Sequence, residues 1–321
     1  MALLPPDSIY TIRNVDNVPV YSLAFSFLPG GLERLLAGSK NGYVYAYNLQ
    51  TNRVQQKIQV GQAPILHLLH TSSQLITQEK GGKYKVFELT NSGYEEDAVI
   101  ETDYPGFCRF EANTKLETLY VPDNESRVLI FSFAGEKLGC LEPDSELKLG
   151  DVMCLKYVEF PCDRPCLLAG YEAGWLLLWD LNTSQCLGTL QTKECPMSVD
   201  YHLNEQRGII GNSSNVIQIF IIGRKDFSLA HKMDISIKNP GINKVQSRFD
   251  GKVFASGGWD GHIRIFSWYS LRPLAVLTEH KQAIQDVAYS TEKVSLWNAH
   301  IMAAGGLDGA ITLWDLYNSK Q

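Results

Sequence analysis

Cys140, Cys154, Cys162 and Cys166 have the most direct chemical potential in this chain, because four thiolates in tetrahedral arrangement hold zinc. Their spacing argues against that use. Cys162 and Cys166 are separated by Asp163-Arg164-Pro165 rather than by the short spacer of a zinc knuckle, and Cys154 sits in the apolar run Val152-Met153-Cys154-Leu155, where it reads as a small core side chain. There is no Gly-x-x-x-x-Gly-Lys-Ser/Thr phosphate loop, no His-Glu-x-x-His zinc site and no Gly-x-Ser-x-Gly nucleophile elbow. An enzyme built on this chain would have to collect histidines and acids from distant segments. The expectation is a non-enzymatic protein with no catalytic residue, no cofactor and no metal, whose chemistry is noncovalent binding.

Composition narrows the class of partner. Hydrophobic residues make up 45% of the chain and aromatics 11%, enough to bury a core and to argue against global disorder. With 29 basic and 35 acidic side chains the net charge is -6 and the pI about 5.7, which disfavours nucleic acid. The cysteines number 7, an odd count in a chain too long to need disulfide staples, so they read as reduced thiols of an intracellular protein. Met1 to Asp7 lack a basic n-region and a long apolar core, and runs such as Trp175 to Trp179 are far shorter than a membrane span, so no membrane is expected.

The elements that must position any binding residue come from an internal repeat. A small-residue turn leads into a short apolar strand ending in an aromatic. Leu36-Ala37-Gly38-Ser39-Lys40-Asn41-Gly42 precedes Val44 to Tyr47, and Leu168-Ala169-Gly170-Tyr171-Glu172-Ala173-Gly174 precedes Leu176 to Trp179. Ala255-Ser256-Gly257-Gly258-Trp259-Asp260-Gly261 precedes Ile263 to Phe266, and Ala304-Gly305-Gly306-Leu307-Asp308-Gly309 precedes Ile311 to Trp314. Weaker copies end at Phe87, Phe131 and Phe220. The terminal aromatics stand at 47, 87, 131, 179, 220, 266 and 314, with intervals of 40, 44, 48, 41, 46 and 48. That is the period of a four-stranded propeller blade. Length alone, at about 150 residues per domain, predicts two domains; the repeat replaces this with a single all-β domain over residues 1–321, a seven-bladed β-propeller.

Within a unit, Asn-Gly or Asp-Gly predicts a type I′ hairpin turn joining strand b to strand c. Strand a reads as Val20 to Phe25, Val152 to Tyr157 or Ala283 to Tyr289, and strand d as Cys186 to Leu190 or Pro273 to Leu277. After Trp314-Asp315 too few residues remain for a fourth strand, whereas Ser8-Ile9-Tyr10-Thr11-Ile12 has the pattern of one. Residues 8–13 are therefore expected to complete the last blade.

With Trp179-Asp180, Trp314-Asp315, the Asp-Gly turns and His280, the chain resembles WD40-repeat proteins. The resemblance implies a structural role for Trp179, Asp180, Asp260, His280, Asp308, Trp314 and Asp315, through hydrogen bonds among a loop His, a strand-b Ser or Thr, a turn Asp and a strand-c Trp. Blade seven has Ala304 at the Ser position, and blade six has Ser256 and Asp260 but Phe266 and no loop His, so the network is expected to be partial. A narrower resemblance, carried by Arg164 to Asp180 and by Asn239 to Leu277, is to the G-protein beta-subunit-like protein 1 group and its fungal counterparts, the ASTRA-associated protein 1 family. It implies an adaptor, cytoplasmic and nuclear, of the triple-T co-chaperone assembly that matures phosphatidylinositol-3-kinase-like kinases. True G-protein beta subunits use a long N-terminal helix to hold gamma; Met1 to Asp7 with Pro5-Pro6 predict no such helix and no gamma partner. The alternative adaptor role, a cullin-4 ubiquitin-ligase receptor, is disfavoured because Asn182 and Tyr317 stand where such receptors often carry Arg after Trp-Asp.

Partner-binding candidates are the residues just before each turn, Lys40, Glu172, Trp259 and Leu307, which fall on the face shared by b-to-c and d-to-a loops. Trp259 and Leu307 lie on adjacent blades and form a candidate apolar pair, with Trp259 either a partner anchor or a side chain folded over its own blade. A second candidate is an acidic sector, Glu142, Asp144, Glu146 and Asp151 in the long connection after blade three together with Glu95, Glu96, Asp97, Glu101 and Asp103 around strand d of blade two, for a basic partner segment. Such runs are ordinarily solvated faces.

Overall fold

The computed structural model describes residues 6–13, 16–28, 30–161 and 164–317. Seven antiparallel sheets of four strands each form the ring. Blades one to six span residues 20–59, 65–101, 111–141, 152–191, 196–236 and 242–277, each in the order a-b-c-d. Blade seven takes strands a to c from Ile284–Tyr289, Met302–Gly306 and Ala310–Trp314, and its fourth from Tyr10–Arg13, paired antiparallel from Tyr10 opposite Leu313 to Arg13 opposite Ala310. The expected closure is therefore present, two residues shorter at its start. Among the described residues the helical element is one 3-10 turn, Ser145–Leu147.

Two irregularities recur and explain how the repeat shapes the ring. In blades one to six the register between strands c and d shifts at the ruler aromatic, from Ala46/Tyr47 round to Ile265/Phe266. A bulge there bends strand d outward and leaves the aromatic buried against its neighbours. The closing strand, arriving from the other end of the chain, shows no such shift. The second shift is at the start of strand a in every blade except the third, and its extra residues are Tyr21, Leu66, Met153, Met197, Asn243 and Gln285. All of them line the central channel.

Contact between blades rests on the glycine of strand b. A Cβ on Gly38, Gly211, Gly257 or Gly305 would come within 3.0 Å of the first side chain of the next strand a, respectively Ile65, Ile242, Ile284 and Val20. Blade two has Gln78 at this position, and its amide instead donates to the Cys108 carbonyl at 2.8 Å and accepts from Phe110 N–H at 3.0 Å. Inner strands are also stitched pairwise. Ser22 Oγ donates to the Ile65 carbonyl (2.9 Å), Asn243 Nδ2 to that of Ile284 (2.8 Å), and Ser247 N–H to Asp200 (2.6 Å).

The expected type I′ turns are not formed. Gly42, Gly261 and Gly309 have positive φ, but Asn41, Asp260 and Asp308 do not. The loops are longer, and the aspartate acts through its side chain: Asp260 and Asp308 accept from the N–H two residues on, in His262 and Ala310, both at 3.1 Å.

The seam between blades seven and one carries extra ties. Ile12 packs with Val20, Leu35, Tyr47, Ile301, Ile311 and Leu313 in one cluster drawn from both ends of the chain. Asp286 accepts from Leu23 N–H at 2.8 Å, and in the long a-b loop of blade seven Ser295 donates its N–H (3.0 Å) and its hydroxyl (2.5 Å) to Glu33 of blade one. Buried Arg248 of blade six holds the chain just past Trp314, donating to the carbonyls of Leu316 (2.5 Å) and Tyr317 (3.2 Å).

Two outcomes follow from this packing. Deleting residues 1–13 removes the closing strand and uncovers the seam cluster; at about 1.5 °C of Tm per kcal/mol in a chain this size, a fall of at least roughly 4 °C is expected by calorimetry, and an unchanged transition contradicts closure. His70 joins blade one to blade two, with Nδ1 at 3.2 Å from Ser26 Oγ and Nε2 at 2.7 Å from Tyr94 Oη. Burial first, then the charge of Arg34, lowers its pKa from 6.5 to about 4. The unfolded chain then binds the extra proton, so stability declines as pH falls from about 6.5 toward about 4. Replacing it with His70→Gln should flatten that part of a Tm-versus-pH curve; an equal slope in the variant contradicts the assignment.

Candidate interaction face and the blade-seven network

One repeated hydrogen bond positions the candidate face. In five blades the N–H of the residue before the turn donates to a carbonyl at the entry to strand a of the same blade: Lys40 to Pro19 (3.0 Å), Lys80 to Pro64 (2.8 Å), Glu172 to Asp151 (2.9 Å), Trp259 to Gly241 (3.0 Å) and Leu307 to Ala283 (3.0 Å). These residues therefore crown the inner ends of their blades on one face. Lys40 and Glu172 are exposed there, and Leu307 is half-buried. Trp259 does both things expected of it: 44% of its surface is exposed, while its indole lies against Gly241 and its Nε1 donates to Asn243 Oδ1 at 2.6 Å. Its own blade holds the ring in place and presents it.

Trp259 also lines the mouth of the central channel, a cavity of about 380 Å³. Phe107, in the connection entering blade three, lines it too, is 59% exposed, and carries Lys80 Nζ at 4.4 Å from its ring centroid. Sequence reading missed Phe107 because its segment lacks the repeat's turn signature. Below the mouth, Arg109 of blade three ties blades seven and one: Nη1 pairs with Asp286 at 2.6 Å, and Nη2 donates to the carbonyls of Tyr21 and Gln285, both at 2.8 Å.

The blade-seven network is more complete than expected. His280 is fully buried, with Nδ1 at 3.0 Å from Asp308 Oδ1 and Nε2 at 3.0 Å from Thr312 Oγ1, which accepts from Trp314 Nε1 at 2.9 Å. Ala304 supplies no hydroxyl, but Thr312 stands directly opposite it in the adjacent strand. An imidazole protonated on Nδ1 satisfies every partner. Burial pushes the Asp308 carboxyl up, but His280 and the N–H groups of Lys281 and Ala310 hold it below the usual range.

In blade six Arg264 stands in for the missing histidine. Its Nη1 and Nη2 donate to Asp260 at 3.2 and 2.5 Å, Asn239 Nδ2 donates at 2.9 Å, and His262 Nδ1 lies at 3.1 Å beside the N–H bond of the same residue. These bonds outweigh burial and keep Asp260 well below the carboxylate range. Asp180 sits at the far end of its strand, where it accepts from Arg164 (2.6 Å) and from the N–H groups of Asn182 (2.9 Å) and Thr183 (3.3 Å). Trp179 is buried in the core between blades three and four, and Asp315 is exposed.

The acidic sector separates into two parts. Glu95, Glu96 and Asp97 lie within strand d, Gly93–Glu101, rather than beside it. Glu96 pairs with Lys85 (2.8 Å), Glu101 with Lys83 (2.9 Å), and Glu95 accepts from Ser92 (2.5 Å). Glu142, Asp144 and Glu146 are exposed, with Asp144 capping the 3-10 turn by accepting from Glu146 N–H at 3.0 Å. Cys162 lies outside the described residues, and no cluster of metal-ligating side chains occurs among those described.

Comparison with known proteins places these features in a family. Residues 231–267 and 271–315 match the WD domain, G-beta repeat. Each match starts near a strand d and ends near the following strand c, so the sequence repeat is d-a-b-c, offset by one strand from the blade; the offset is why the N-terminal strand closes the ring. Over 325 residues, 98% of this chain and 97% of the relative, the chain is 31% identical to guanine nucleotide-binding protein subunit beta-like protein 1 of Mus musculus. It is 24% identical over 379 residues, 96% of this chain and 92% of the relative, to ASTRA-associated protein 1 of Verticillium alfalfae. It is 23% identical over 282 residues, 64% and 63%, to the Aspergillus niger protein of the same name.

Replacing Thr312 by valine keeps the shape and strands His280 Nε2 and Trp314 Nε1 in the core. We expect Thr312→Val to cost about 2 kcal/mol or more, measured by denaturant unfolding, whereas wild-type stability would show the network to be idle.

Proposed function

The chain belongs to the WD40-repeat family of guanine nucleotide-binding protein subunit beta-like protein 1, and we propose that it works without catalysis, as an adaptor of the triple-T co-chaperone assembly supporting phosphatidylinositol-3-kinase-like kinases in cytoplasm and nucleus. The observation that carries this reading is the end-to-end alignment, 98% of one chain on 97% of the other, with the fungal relatives bearing the name ASTRA-associated. The face geometry supports it. Trp259 and Phe107 are large exposed aromatics on otherwise well-packed loops, the side-chain type that anchors protein interfaces.

The test is affinity purification of the tagged chain from cells with quantitative mass spectrometry, beside a Trp259→Ala, Leu307→Ala double variant. Wild type is expected to recover the co-chaperone subunits and the kinases, with loss of about fivefold or more in the double variant, about 1 kcal/mol. Recovery of a cullin-4 adaptor in their place overturns the reading in favour of a ubiquitin-ligase receptor.

A further inference from the structure

The central channel gathers Arg109, Glu111, Lys156, Asp200 and Lys244 around one cavity, and some of its buried nitrogens lack a hydrogen-bond partner. Asp200 is engaged on both oxygens, by Lys156 Nζ at 2.9 Å on one and Ser247 N–H at 2.6 Å on the other. Asp286 is engaged on both oxygens, by Arg109 at 2.6 Å and Val287 N–H at 3.0 Å on one and by Leu23 N–H at 2.8 Å on the other. Lys244 is left over. Its ammonium stands 3.9 Å from an Asp286 oxygen that Arg109 already occupies, beyond hydrogen-bond reach. His67 Nδ1 is buried without a partner, and Lys156 uses one of three donors on Asp200.

Burial pushes the remaining carboxyl, Glu111, up against the pull of Lys156 and Lys244. The cations feel one another. Burial and then the nearby charge of Arg109 and Lys156 lower Lys244 despite the attraction of Asp286, and burial with Arg109, Lys244 and Lys156 holds His67 well below its ordinary value. A buried donor without an acceptor costs free energy that an incoming acceptor recovers.

The mouth above this cavity has the complementary character. Phe107 and Trp259 are exposed apolar surfaces on its rim, and Lys80 extends the positive charge over Phe107. About 380 Å³ admits side chains and no folded element. A small soluble anion would satisfy the cations and leave both aromatics idle, whereas a polypeptide uses both.

We infer that the channel mouth is the docking site for an acidic segment of a partner protein, which lies across Phe107 and Trp259 and places an Asp or Glu carboxylate among Lys244, Lys156 and His67. The carboxylate accepts charge-assisted hydrogen bonds from partly buried lysines, where they are stronger than at an open surface. The inference concerns the chemistry of one site and holds whichever assembly the protein serves.

The probe is a displayed random-peptide library selected on the full-length chain, followed by fluorescence polarisation of the selected peptide and of a twin with its acids changed to amides. Selected peptides should carry Asp or Glu, and the amide twin should bind about tenfold more weakly. Lys244→Gln should lose the same factor toward the acidic peptide and nothing further toward the twin, while Lys244→Arg retains binding. Phe107→Ala, at an exposed position where folding is safe, should weaken binding independently. Selection without acids, a twin that binds equally, or a Lys244→Gln protein of native melting temperature and undiminished affinity overturns the proposal. Displacement by equimolar citrate together with indifference to Phe107→Ala marks a small-anion site and overturns it too.

Discussion

Everything in this molecule depends on closing a ring whose two ends are the two ends of the chain. Each blade buries an apolar sheet face against the next, so an open ring would expose one such face on each side of the gap and leave an unpaired strand edge. The chain answers with a strand of four residues, Tyr10–Arg13, whose Ile12 enters the seam cluster. The clasp of Glu33 by Ser295, the bond from Leu23 N–H to Asp286, and the reach of Arg109 from blade three to blades seven and one reinforce the same joint. In a repeat array neighbours normally stabilise only neighbours; Arg109 is a tie across the hole.

Closure also creates the functional surface. With seven inner strands held at fixed radius, the bulged residue of strand a in the six blades that have one, from Tyr21 round to Gln285, has nowhere to go but the channel. The turn residues bonded to the strand-a entries stand around its mouth. The face is thus as rigid as the ring, and Trp259, clamped between Gly241 and Asn243, loses little side-chain freedom when a partner covers it. On the opposite face, between blades four and five, Phe160, Tyr201 and Phe227 pack on one another with Arg164 stacked on Phe227, while Phe249 and Tyr269 of blade six stay exposed.

Features set by local repetition were legible in the sequence. The ruler aromatics are buried, and the pattern at Ser8 to Ile12 marked the fourth strand of blade seven. Features set by pairing across the fold were not. Thr312 completes the histidine network because it faces Ala304 across a ladder, which no motif in strand c announces. Arg109 meets carbonyls 88 and 176 residues away, and neither separation leaves a trace in the local pattern. The Asp-Gly turns misled for a physical reason: side-chain capping by Asp260 and Asp308 stabilises a longer loop without requiring a positive φ at the aspartate.

The central claim is that the protein acts through the channel-mouth face of a closed ring. Hydrogen exchange read by mass spectrometry, on the chain alone and in the assembly with which it co-purifies, tests it most directly. The account predicts added protection in peptides covering residues 105–110 and 257–262, with residues 158–165 and 222–228 of the opposite face unchanged. Protection confined to that opposite face would contradict it.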